Sequence, residues 1–371
     1  MSAMPPFRAD HVGSLLRPQR LLDARATYLN GAIDAVELTA IEDEAVREVV
    51  RRQQQTGLRS ATDGEFRRGS WHMDFTYALG GVAPISTTDH MQWYGDEGVE
   101  SWERPGAAVV DRISIEQPIF AGAFSFLRDT ATQAVAKITI PSLNVVAGIL
   151  RNSIGEVYDD EELFWDDLIA AYAAQIAGLA EGGCRYLQID DTSFAHINDP
   201  LIQEQVAAAG GDPRHQHELY IARLNRALAD RPAGMRITTH MCHGNLRGMW
   251  MSSGGYEMVA EALFNELDVD GFFLEFDDER SGSFAPLRFV PKGPRVVLGL
   301  VTTKRAELES QDELLRRIDE ASRHVDLDQL CLSPQCGFAA TEEGNPLTED
   351  DQFAKLRLVV DTAERVWGSA D

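Results

Sequence analysis

Four side chains in this 371-residue sequence are of the types that hold a soft metal ion: His240 and Cys242 in THMCHGN, Glu275 in FLEFDDERSG, and Cys336 in LSPQCGFAA. Residues two apart in an extended chain point the same way, so His240 and Cys242 can chelate one ion. Zinc accepts imidazole, thiolate and carboxylate, and Glu275 and Cys336 would complete a tetrahedral shell. Structural zinc sites usually draw on short local Cys-x2-Cys knuckles, whereas ligands gathered from three distant stretches suit a reactive centre. An isolated H-x-C is also compatible with half-buried thiols at 242 and 336 and a satisfied core histidine at 240. His243 is the rival ligand, but strand alternation turns it to the opposite face. Cys184 precedes a strand pattern and Cys331 lies inside one, so both read as packing residues.

Ligands so far apart can meet only if the fold ends its strands at one rim. Short apolar runs at 9–12, 58–62, 136–140, 185–189, 235–239, 271–274, 295–300 and 328–332 read as strands. Helical patterns alternate with them, at 39–56, 161–181, 215–230, 256–266 and 311–324, with a last one at 349–366. That alternation predicts parallel strands joined by helical crossovers, and eight such units predict an α/β fold of the (β/α)8 TIM-barrel type. The whole of 1–371 reads as one catalytic domain, with an insertion at about 66–118 after the second strand. The insertion is rich in Gly, Trp and Asp and is expected to form a lid or hairpin. An open doubly wound sheet is the runner-up, but no glycine-rich dinucleotide turn supports it.

Barrel enzymes place their chemistry after the C-terminal ends of the strands. Taken in order, the expected strand ends carry His11 and Ser14, Asp63 and Glu65, Ser142 and Asn144, Asp190 and Asp191, then His240 and Cys242. Glu275 follows the sixth, Thr302, Thr303 and Lys304 the seventh, and Cys336 the eighth. Polar and metal-competent residues thus collect at one mouth.

The formal net charge of −25 argues against a nucleic-acid partner, since no basic stripe offsets the repulsion. No apolar run approaches the roughly 18 residues of a membrane span. The opening MSAMPPFRAD has no apolar core of a secretory signal, so a cytoplasmic protein is expected. Four scattered cysteines are too few for a disulfide framework.

The ordered motifs FRADHVGSLLRP, LRSATDGEFRRGSWHMDF, LQIDDTSF, THMCHGN, FLEFD, LGLVTTKRAELES and LSPQCGF resemble the cobalamin-independent methionine synthase family. The resemblance is to short single-barrel members that correspond to the catalytic C-terminal half of the full-length enzymes. It implies Zn2+ held by His240, Cys242, Glu275 and Cys336, with Ser14, Glu65 and Asp190 binding the carboxylate and amino group of a homocysteine-like thiol. Those roles are chemically apt, because an ammonium wants carboxylates near it and a carboxylate wants N–H groups and a hydroxyl. The activity implied is zinc-dependent methyl or alkyl transfer to a thiol: homocysteine becomes methionine, with a methylfolate or another methyl donor. Glu275, the weakest donor to soft zinc, is the ligand expected to yield to the incoming thiol.

Two departures from the family bear on the donor. Where the long enzymes carry a histidine after the seventh strand, suited to protonating the departing folate, LGLVTTKRA places Lys304, a candidate catalytic proton donor or anion binder. The N-terminal half of the long enzymes has no counterpart here. The insertion, with Trp71, His72, Trp93, Tyr94 and Trp102, is the candidate for a different donor pocket. Three other readings stand beside methionine synthesis. Similar barrels serve as epoxyalkane:coenzyme M transferases, where Lys304 and Arg280 would meet an anionic group. Uroporphyrinogen decarboxylase-like enzymes share the fold family and need no thiolate zinc, and a non-enzymatic zinc-binding barrel is the third. The sequence leaves oligomeric state open.

Overall fold

The computed structural model describes residues 4–371, the side chain of Asp89 excepted. Among them the strands are β1 (Ser60–Ala61), β2 (Gly80–Gly95), β3 (Gly98–Ser114), β4 (Val135–Pro141), β5 (Tyr186–Asp190), β6 (Arg236–Met241), β7 (Gly271–Glu275), β8 (Arg295–Val301) and β9 (Leu330–Pro334). Seven form one parallel sheet in the order β1-β4-β5-β6-β7-β8-β9. Strands β5, β7 and β9 are buried at every position, as a parallel sheet covered on both faces requires.

The sheet curls until the N-terminal segment links its two edges. Ala9 bridges Leu332 of β9 in parallel, with Leu332 N–H donating to Arg8 O at 2.8 Å and Asp10 N–H to Leu332 O at 3.0 Å. Toward β1, Ser60 Oγ donates to Asp10 Oδ1 at 2.8 Å and Leu15 N–H to Gly64 O at 3.0 Å. The arrangement is a curled α/β sheet consistent with a TIM-like barrel.

Two expected strands shrink, and for the same reason. At 9–12 only an isolated bridge forms, because the Asp10 carboxylate takes the N–H groups of Phe7 (3.1 Å) and His11 (2.8 Å) that a ladder would use. At 58–62 two residues remain, because the Gln53 amide takes both the N–H and the C=O of Thr62 at 2.9 Å. Side chains substituted for the ladder, and apolar patterning does not register that competition.

Helices cover the outer face of the sheet. The Ala35–Thr56 helix starts earlier than the apolar pattern suggests because Asp34 and Glu37 form a reciprocal capping box. Its residues Ala45, Val46, Val49, Val50 and Gln53, at helical spacing, face the core. Within the curl of the sheet a small cluster of Val12, Phe273, Val297 and Cys331 is separate from the large core between strands and helices. No helix among the described residues is long and apolar enough to cross a membrane.

Strands β2 and β3 pair with each other as an antiparallel hairpin outside the parallel sheet. The tip is tied to the segment after β6: Tyr94 and Trp250 exchange backbone hydrogen bonds at 2.7 and 2.9 Å. Trp93, Leu246 and Met249 form a buried cluster beneath it. Gly244 has φ +96°, and a Cβ there would meet Met251 N at 2.9 Å and the Trp93 ring at 3.0 Å. Only glycine lets the hairpin sit this close to the chain leaving β6.

Candidate metal centre

Strand β6 runs between β5 and β7, with His240 opposite Asp190 on one side and Phe273 on the other. A buried tyrosine pins the ends of β6 and β7 together: Tyr256 Oη donates to Met241 O at 2.9 Å and accepts Glu275 N–H at 3.0 Å. Cys242 follows immediately. Cys336 leaves β9 on a loop held from three sides. Gln335 Oε1 accepts Thr303 N–H at 2.6 Å, Asn245 Nδ2 donates to Gly337 O at 2.7 Å, and Phe338 N–H to Ser14 O at 2.9 Å.

These restraints bring His240, Cys242 and Cys336 together, all buried, with one donor atom from each lying within 4.8 Å of the others. The two Sγ atoms are 3.6 Å apart. Two sulfurs bound tetrahedrally to one zinc at about 2.3 Å would be separated by roughly 3.8 Å, so the pair fits that ion. Both ring nitrogens of His240 are buried without a hydrogen-bond partner among the described residues, which is costly unless something else takes a lone pair. The hydrogen bond between the sulfurs pushes the Cys242 thiol well below its usual pKa and Cys336 well above it. One proton leaves the pair easily and the second does not, a balance that a bound cation would reverse. For His240, burial opposes protonation, but Cys242, Asp190 and Glu275 outweigh it and raise the pKa.

Glu275 lies outside that trio. Its Oε1 accepts from Arg280 Nη2 at 2.6 Å and Lys304 Nζ at 2.9 Å; its Oε2 accepts the His243 N–H at 2.7 Å, with His243 Nδ1 at 3.3 Å. Burial would raise its pKa, but Lys304, His243 and Arg280 hold it well below the carboxylate range. Lys304 also donates to Asp277 Oδ2 at 2.9 Å, and Arg280 to Asp278 Oδ2 at 3.2 Å. Burial works against the charge on Lys304, yet Asp277 and Glu275 keep its pKa above the usual lysine value. His243 is the partner of Glu275 and not a member of the trio, which agrees with strand alternation.

A second group of acids occupies the same rim. Glu65, at φ 60°, has its N–H held by Asp63 Oδ1 at 2.9 Å. Its Oε1 accepts from Thr139 Oγ1 at 2.7 Å, while Oε2 is buried without a hydrogen-bond partner among the described residues. Asp190 Oδ1 accepts from Gln188 Nε2 at 2.7 Å. Burial raises the Asp190 pKa to about 7, and Glu65 adds to the rise while His240 opposes it. Glu65 and Asp190 are thus two buried carboxyls at one rim, with Arg68 Nη1 3.7 Å from Glu65 Oε1. Ser14 reaches the same rim beside the Cys336 loop: a Cβ on Gly337 would fall 1.9 Å from Ser14 Oγ. The described residues therefore join Ser14 to the thiol loop and Asp190 to His240.

Sequence reasoning missed Thr139 and Asp277. Thr139 and Lys137 alternate as polar residues in an apolar run, which was the available signal for an inward polar face. Asp277 sits in the charge-dense FDDERSG turn. Cys184 and Cys331 are buried, and burial pushes their thiols up to about 12 and about 11, as packing residues require.

Over residues 7–365 the chain matches the family model described as cobalamin-independent synthase, catalytic domain. It is 45% identical over 363 residues to the uncharacterized protein YxjH of Bacillus subtilis, covering 98% of this chain and 95% of that one. Among solved structures, the "Putative Vitamin-B12 Independent Methionine Synthase" of Listeria monocytogenes aligns with a TM-score of 0.79 at 36% identity, covering 99% of this chain and 100% of that chain. A B12-independent methionine synthase from Shewanella, solved in complex with selenomethionine, shares the fold with a TM-score of 0.74 at 21% identity, covering 97% of each chain.

Proposed function

The chain belongs to the cobalamin-independent synthase family, catalytic-domain type, and from that premise we propose that it methylates homocysteine to methionine with Zn2+ held by His240, Cys242 and Cys336. One observation carries the reading: an imidazole with both nitrogens unpartnered among the described residues shares a centre with two sulfurs 3.6 Å apart. When bound, zinc supplies a lowered thiol pKa, so that a thiol is held as thiolate at neutral pH. Every other role falls to the chain. Glu65 and Asp190 receive the substrate ammonium, and Ser14 with nearby backbone N–H groups receives its carboxylate. Together they aim the sulfur toward the trio.

In the transfer, the sulfur lone pair forms the new C–S bond and the donor keeps the electron pair of the bond that breaks. The thiol's proton is released to solvent and the departing donor takes one up, so the step balances and no reductant is needed. A methylfolate or other methyl donor enters beside the β2–β3 hairpin, which we read as the lid of an eight-unit barrel. The reduced thiols suit a cytoplasmic setting. The selenomethionine bound by the Shewanella relative is a close analogue of the product assigned here. A sulfonate-bearing thiol is the poorer candidate, because Lys304 and Arg280 already spend their charge on Glu275, Asp277 and Asp278.

Metal analysis combined with mass spectrometry of products from homocysteine and methyl donors tests the proposal. Wild type should contain one zinc per chain and form methionine, and Cys336→Ala should lose both. Turnover without stoichiometric zinc in either protein would refute it.

A further inference from the structure

We propose that Arg17 is a positioning residue that sets the amino-acid end of the site by tying the loop of Glu65 to the loop of Cys336. The inference rests on the reading of Glu65 as receiver of the substrate ammonium. Arg17 is buried, and its guanidinium spends four N–H bonds on four backbone carbonyls of two loops. Nη1 donates to Ala339 O at 2.6 Å and to Thr341 O at 3.2 Å, both just beyond Cys336. Nη2 donates to Glu65 O and to Arg68 O, each at 3.0 Å. Burial lowers the Arg17 pKa to about 10 while Glu65 opposes the fall, so the group stays charged at neutral pH. A lysine ammonium has no planar fork and cannot hold two carbonyls on each side in this way.

The tie acts on a strained residue. Glu65 has φ 60°, a left-handed backbone that a residue with a Cβ adopts at a cost. Its N–H is fixed by Asp63 Oδ1 at 2.9 Å and its C=O by Arg17, so the conformation is held from both sides. In that backbone the side chain sets Oε1 on Thr139 Oγ1 at 2.7 Å and leaves Oε2 open. The two loops also pair beyond the guanidinium, Trp71 N–H donating to Ala340 O at 2.9 Å and Glu342 N–H to Gly69 O at 3.0 Å. Arg25 adds an outer hold, through Arg68 O at 3.0 Å and Phe66 O at 2.5 Å. Arg17 thereby fixes the spacing between the carboxylate that meets the ammonium and the thiol loop that meets the sulfur.

Calorimetric titration of zinc-loaded protein with L-homocysteine and with 4-mercaptobutanoate, the same thiol acid without its amino group, reads this directly. Arg17→Lys should weaken homocysteine about tenfold or more and 4-mercaptobutanoate less than about twofold, with zinc still at one per chain. The loss should appear in KM for homocysteine more than in kcat. In a Glu65→Gln background Arg17→Lys should add little, because the group it positions is gone. If Arg17→Lys does not fold, Arg25→Gln should show the same selectivity at smaller size. Equal losses for the two thiols, no loss for either, full additivity with Glu65→Gln, or loss of zinc from Arg17→Lys would overturn the inference. Zinc-loaded wild type that binds no homocysteine would instead overturn the functional reading on which it rests.

Discussion

The curled sheet holds two buried polar clusters, one in the N-terminal half of its strands and one at their opposite end, and they differ in how far their charged groups are paired. In the first, Asp10 accepts from Ser60 Oγ and His11 N–H at 2.8 Å, from Tyr186 Oη at 2.8 Å and from Phe7 N–H at 3.1 Å. Lys137 donates to His11 O at 2.6 Å and to Asp10 at 3.4 Å, with its Nζ 4.1 Å from the Phe273 ring centroid. At the mouth, by contrast, both His240 nitrogens, Glu65 Oε2 and Arg68 Nη2 are buried with no hydrogen-bond partner among the described residues. Around Asp10 and Lys137 the charged groups satisfy one another, although both ring nitrogens of the adjoining His11 are buried without a hydrogen-bond partner among the described residues; at the mouth an imidazole, a carboxylate oxygen and a guanidinium nitrogen are left open.

Breaking each cluster should have opposite consequences. Lys137→Met leaves the buried Asp10 without its cation and is expected to cost about 3 kcal/mol or more, with metal content of the folded protein unchanged. Cys336→Ser should alter the stability of metal-free protein by less than about 1 kcal/mol yet abolish stoichiometric zinc. Denaturant titration and metal analysis on both variants check the pair.

The next effect is a pH dependence at the mouth. Burial raises Asp190 to about 7 from the ordinary 3.8, so the native state binds that proton more tightly than the unfolded chain. Stability from this group is therefore lost as pH rises from about 4 through about 7 and is level beyond. Asp190→Asn removes the loss, and its advantage over wild type in metal-free protein should be about 3 kcal/mol larger at pH 8 than at pH 5. A constant difference across that range would contradict the assignment of the raised pKa.

Smaller effects sharpen the boundary between the regions. In Gly337→Ala the added Cβ would meet Ser14 Oγ at 1.9 Å, and a loss of about 2 kcal/mol with weaker homocysteine binding is expected. Cys184→Ala should cost about 1 kcal/mol, read by melting, with zinc content and turnover unchanged. Together these would separate the thiols at the mouth from the one that only packs.

Much of the frame was legible in the sequence. Apolar runs of four to six residues marked the strands β4 to β9, and the positions at and just after their ends brought His240, Cys242 and Cys336 to one rim. The hydrogen-bond partners of Glu275 were not legible in the same way: Arg280 lies five residues on in the loop after β7 and Lys304 in the loop after β8, and strand spacing carries no record of which donors reach a carboxylate. The short β1 and the bridge at Ala9 escaped for a related reason, since Gln53 and Asp10 replace ladder hydrogen bonds with side-chain ones. The early start of the Ala35–Thr56 helix could have been read from Asp34 and Glu37, whose spacing is that of a capping box.

Zinc-edge X-ray absorption on the purified protein, with and without homocysteine, tests the central claim most directly. The expected first shell is two sulfurs and one imidazole nitrogen from the protein, rising to three sulfurs when homocysteine is added. Protein that retains no zinc, or a sulfur count that stays at two with the thiol present, would contradict it.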